Sequence, residues 1–185
     1  MDTGISFLRS QVNNAVMQHQ SLLDSLVDHE SQAEDQRFRD LCSRHIPKMR
    51  EHQRMLEEYQ TQLGRTDRNN ENPLEMAAGT AKKMVGSMLG KAKDLADAAR
   101  QSDFLRLVED IVMARQSEDT FKTFRDGGRQ LGITRLAEIG EIGERHHDEY
   151  VKEANRLVTQ MFVEHARGAE TAIPVEQTRT SSSGL

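Results

Sequence analysis

Residues 35–64 read DQRFRDLCSRHIPKMREHQRMLEEYQTQLG. Phe38, Leu41, His45, Met49, His52, Leu56, Tyr59 and Leu63 recur every three or four positions, which places them on one face of a helix and leaves no strand-like alternation. Gly64 is a natural left-handed stop. Pro47 falls inside the pattern and removes one backbone donor, yet the stripe keeps its phase across it, so the spacing predicts one long kinked helix rather than two. This stretch cannot bury its own apolar face and demands partners of the same kind.

Those partners lie on either side. Upstream, about residues 5–32 carry Leu8, Val12, Ala15/Val16, His19, Leu22/Leu23, Leu26 and Glu30 in helical phase. Downstream, residues 65–73 (RTDRNNENP) hold nothing apolar and form a loop ending in Pro73. An Ala-, Met- and Gly-rich segment over residues 74–100 then places Met84, Val85, Met88 and Leu89 on one side and lysines on the other. Ser102 or Asp103 is positioned to cap a further helix with Leu107/Val108, Ile111, Ala114, Glu118, Phe121 and Arg125, which weakens at Gly127-Gly128. The last helix, from about Thr134 to His165, has Leu136, Ile139, Gly143, His147, Tyr150, Ala154, Leu157 and Met161. Residues 168–185 hold little to bury and read as a disordered tail. The expected architecture is all-α: a ferritin-like up-down four-helix bundle over residues 1–167, with an additional helix in its long middle connection.

Composition narrows the function. A net charge of −5 with interspersed signs gives no basic face for nucleic acid, and aromatics at 4% with no Trp give no stacking platform for bases. No stretch approaches the roughly 20 apolar residues of a membrane span, and the N-terminus lacks the pattern of a secretory signal, so membrane insertion is not expected and the cytoplasm is the expected location. Cys42 is the only cysteine, which excludes an internal disulfide and a multi-cysteine zinc site. On an apolar stripe its thiol is expected to be buried and inert.

The informative residues are the titratable ones in stripe phase: His19, Glu30, His45, His52, Glu118, Glu144 and His147. A buried imidazole or carboxylate is costly unless it is hydrogen-bonded, paired or bound to metal. Di-iron bundles use a Glu from each of two helices and Glu-x-x-His from each of the other two. Glu144-Arg-His-His147 fits that motif, and Glu118 is a candidate lone carboxylate. The second helix does not complete the set, because three residues before His52 stands Met49 and three before His45 stands Cys42. The candidate metal ligands are therefore His45, His52, Glu118, Glu144 and His147, enough for a mononuclear iron or zinc site but not for a complete di-iron centre.

Several local patterns carry a resemblance. His45-Ile-Pro-Lys48, His52-Gln53, Leu56-Glu57 and Leu63-Gly64 in the second helix, Lys82-Lys-Met84-Val-Gly86 in the middle segment, and Glu118, Phe121, Arg125 and Leu131-Gly132 further on resemble the YciE/YciF family of bacterial ferritin-like stress proteins. The resemblance implies a ferritin-like fold, a stress-related role and a di-metal site. The family's acidic residue after the second-helix histidine is Lys48 here, whose charge would oppose bound cations. The expected function is then a non-catalytic bundle with a degenerate or absent di-metal site, against two alternatives: an iron- or zinc-binding protein or oxidase, and a helical adaptor that docks a protein partner through residues 74–100. A homodimer is expected as a way to cover Met84, Val85, Met88 and Leu89.

Overall fold

A computed structural model describes residues 3–64 and 95–167, with side chains from residue 102 onward in the second stretch. They form α1 (Thr3–Gln32), α2 (Gln36–Leu63), α3 (Leu95–Leu131) and α4 (Thr134–Ala166), with no strand among the described residues. The four helices pack as an all-α bundle in which α1 adjoins α2 and α3, and α4 adjoins α3 and α2. None of them is long and apolar enough to cross a membrane. The middle segment up to residue 94, which includes the apolar residues behind the homodimer and most of the adaptor expectation, lies outside the described residues, as does the tail from 168.

Pairings along the helices give the topology. Between α2 and α4, Arg37 meets Glu164, Arg44 meets Glu153 and Lys48 meets Glu149. Between α1 and α3, Gln18 meets Thr120 and Ser25 meets Asp110. Both pairs therefore run antiparallel, as do the two hairpins α1-α2 and α3-α4. In chain order the helices run up, down, down, up: alternation holds within each hairpin and is broken between them, so α2 and α3 run parallel.

The connections follow from local chemistry. Asp35 caps α2 by accepting from the Arg37 N–H at 2.8 Å. The Asp103 carboxylate does not start a helix as expected, because α3 already begins at Leu95. It is buried and accepts instead from the N–H groups of Glu34 and Asp35 at 2.7 and 2.8 Å, tying α3 to the α1-α2 turn. The α2 helix continues through Pro47 and ends at Gly64, whose φ of 79° suits a glycine. Arg9 donates to the Leu63 carbonyl there, bringing a cation to the negative end of the helix. The pattern at Gly127-Gly128 does not interrupt α3, which runs on to Leu131 before Gly132 turns the chain at φ 68°.

The core divides into two apolar clusters. One gathers Leu22, Leu26, Phe38, Leu41, Met49, Leu107, Tyr150, Leu157 and their neighbours. The other gathers Val12, Ala15, Leu56, Tyr59, Phe121, Phe124, Leu136 and Ile139. On each helix a polar residue falls between them in sequence: His19, His52, Ser117 and His147, each no more than 1% exposed.

Candidate metal centre

His19, His52 and His147 come from α1, α2 and α4, and one ring nitrogen of each lies within 4.8 Å of the others. The Phe121 ring from α3 closes the fourth side, with centroids 5.9, 4.4 and 5.0 Å from the three imidazoles. Gly143 makes the arrangement sterically feasible. A Cβ at that position would stand 2.4 Å from His52 Cε1 and 2.6 Å from Phe121 Cγ, so the His52 ring occupies the space a side chain would fill.

The hydrogen bonds of the three rings decide where their protons sit. Gln53 Nε2 donates to Glu57 Oε1 at 2.8 Å, which turns the amide oxygen toward His19 Nδ1, also at 2.8 Å. An oxygen there accepts only, so His19 carries its proton on Nδ1 and leaves Nε2 as a lone pair. His52 Nε2 faces the Ile139 carbonyl at 3.1 Å, so that nitrogen holds the proton and Nδ1 is bare. His147 Nδ1 donates to the Gly143 carbonyl at 2.7 Å, and its Nε2 is buried with no hydrogen-bond partner among the described residues. Each histidine thus spends its N–H outward and keeps a lone pair free. Metal-ligating histidines show the same division, because the outer hydrogen bond fixes the tautomer and raises the basicity of the other nitrogen.

Two of the lone pairs meet. His52 Nδ1 lies 3.3 Å from His19 Nε2. With both nitrogens bare this contact is repulsive, and either a proton or a cation between them would relieve it. A proton is opposed by the surroundings. Burial pushes His19 down to about 4 and His147 down to about 3, helped in each case by a neighbouring histidine. His52 is lowered well below its ordinary value, again first by burial and then by the other two rings. For a metal the spacing of this pair is apt, since M–N bonds of about 2.0 to 2.1 Å in a tetrahedral site separate the nitrogens by about 3.3 to 3.4 Å, and the third nitrogen lies within 4.8 Å of both.

The remaining expected ligands lie elsewhere. His45 is buried two turns from His52, its ring 5.3 Å from that of Tyr150 and its Nε2 3.4 Å from Glu153 Oε1, where burial lowers its pKa. Glu144 pairs with Arg125. Glu118 is half-buried, with its carboxyl raised first by burial and then by Asp148. Neither carboxylate belongs to the group of converging ligand atoms. Lys48 does not face the core, since its ammonium pairs with Glu149 at 2.6 Å on the exposed surface. Its charge therefore gives no reason to reject a core ion. Cys42 is fully buried, and burial pushes its thiol up, consistent with an inert core residue.

A second buried polar group lies farther along the bundle. Asp110 is 0% exposed and accepts from Ser25 Oγ at 2.7 Å, with His29 Nδ1 at 2.8 Å and the Tyr150 hydroxyl at 3.5 Å. Sequence reasoning missed this carboxylate because it lies next to a stripe position, Ile111, and reads as exposed. It also missed Gln53 and Ser117.

The chain matches no family model, no curated protein and no solved structure.

Proposed function

We propose that this protein is a metal-binding helical bundle that holds one transition-metal ion through His19 Nε2, His52 Nδ1 and His147 Nε2. The observation that carries this reading is the tautomer pattern: three buried rings donate outward to Gln53, Ile139 and Gly143, one nitrogen of each lies within 4.8 Å of the others, and the bare His52 Nδ1 and His19 Nε2 stand 3.3 Å apart. An apolar set of the same volume would stabilise the core without three desolvated imidazoles, so the polar layer calls for a ligand. The up, down, down, up order with one long connection is the arrangement of ferritin-like bundles, which supports the proposed kinship with the YciE/YciF proteins. The ligand set differs from a di-iron centre in holding no carboxylate. Closure of the site on all sides favours holding an ion over turning over a substrate, as in closed structural metal sites.

The test is metal stoichiometry. The full-length chain, stripped and reloaded, should bind one ion per molecule, and His147→Gln should reduce this to background while the helical circular dichroism is retained. Two ions per chain, or undiminished binding by a folded His147→Gln protein, would overturn the proposal.

A further inference from the structure

We infer that the site selects a monovalent soft d10 cation, copper(I), over divalent zinc or iron, an inference that rests on the three-histidine site proposed above. Charge is the deciding quantity. All three ligands are neutral imidazoles, all are 0% exposed, and the converging group contains no carboxylate or thiolate. The titratable groups that act on the rings are one another and His146, with no carboxylate among them; the Gln53 oxygen and the Ile139 and Gly143 carbonyls favour positive charge on the rings but are neutral dipoles.

Desolvation of an ion grows with the square of its charge, so a dication costs about four times as much as a monocation of similar size to bring into such a site. Neutral ligands leave that charge uncompensated. Zinc or iron sites meet the cost with anionic ligands or a bound hydroxide, for which a carboxylate or an open position is needed. Copper(I) needs neither, because it keeps only one charge and accepts three neutral donors. In the second helix Met49, 0% exposed in the apolar cluster and three residues before His52, stands where a di-iron helix carries its carboxylate, so that position brings no negative charge to offset a dication.

The experiment compares affinities on the full-length chain under anaerobic, reducing conditions. Copper(I) would be measured by competition with bicinchoninate, and zinc(II) by competition with a chromophoric zinc chelator at the same pH. One copper(I) per chain, bound about a hundredfold or more tightly than zinc(II), is the expected result. X-ray absorption of the copper-loaded wild-type chain should show three imidazole nitrogens, which keeps the test independent of whether any variant folds. Equal or tighter zinc binding at the same three histidines would overturn the copper inference and leave the three-histidine site standing. Failure of copper(I), silver(I), zinc(II) and cobalt(II) alike to bind would overturn both.

Discussion

His52 Nδ1 faces His19 Nε2 at 3.3 Å between two apolar clusters, while the opposite nitrogen of each ring is already committed to an oxygen acceptor. Two buried lone pairs at this distance are unfavourable in the apo protein, and the same contact becomes favourable around a cation.

Gly143→Ala should damage the site more than the helix. The added methyl would meet His52 and Phe121 inside 3.0 Å, so a ring must move; the expected loss is about 1 to 3 kcal/mol together with the loss of metal binding. Gly127→Ala is the internal control, because nothing lies within 4 Å of its Cβ position and the residue is inside α3. That change should stabilise by about 0.5 to 1 kcal/mol. Denaturant melts of the two variants side by side check both.

Gln53→Leu removes the acceptor that fixes the His19 tautomer while keeping similar bulk. Leaving a buried N–H without its partner should cost about 1 to 3 kcal/mol, and metal affinity should fall by about 10- to 100-fold, as for other changes to groups that orient a ligand. Thermal unfolding with and without metal separates the two effects.

Stability should fall as the pH drops from neutrality. His19, His52 and His147 are held neutral in the folded chain with pKa values depressed from 6.5, to about 4 for His19 and about 3 for His147. The unfolded chain therefore takes up protons first. Their contribution is complete above about pH 6.5 and is lost progressively as the pH falls through that value toward 4. His45 and His146 are lowered too and act in the same direction. Chemical denaturation at pH 7.5, 6 and 5 should show the loss already between 7.5 and 5, above the range in which carboxylates protonate. A stability that is flat over that interval would show the histidines to be charged or exposed.

How far the sequence could lead is visible at these same residues. The stripe on residues 35–64 placed Phe38, Leu41, Met49, Leu56 and Tyr59 in the core, where they are found, because helical periodicity reports burial directly. His52 and His147 were accessible by the same reasoning. Periodicity puts His19 on the buried face but does not group it with the other ligands, because it says which face a residue occupies and not its depth along the bundle. The α1-α2 turn near residue 34 supplies the missing coordinate, since an antiparallel hairpin folded there brings residue 19 beside residues near 50. Glu144 satisfied a motif and yet is spent on Arg125, which is a contact between helices that no local pattern encodes. The tautomers were out of reach altogether, as they depend on the carbonyls of Ile139 and Gly143.

Leu56→Ala should destabilise the bundle by about 2 to 5 kcal/mol, since the side chain is 0% exposed in the cluster beside the histidines. A loss below about 0.5 kcal/mol in urea unfolding would contradict its assignment to the core.

Long-range nitrogen-15 NMR of the imidazole rings tests the central claim most directly. In the metal-free chain at pH 7.5, His19 and His147 should be protonated on Nδ1 and His52 on Nε2. Adding one equivalent of copper(I) or silver(I) should shift His19 Nε2, His52 Nδ1 and His147 Nε2 together and leave the protonated nitrogens in place. Opposite tautomers in the metal-free protein, or metal-induced shifts confined to His45, His146 or the other histidines, would contradict the site described here.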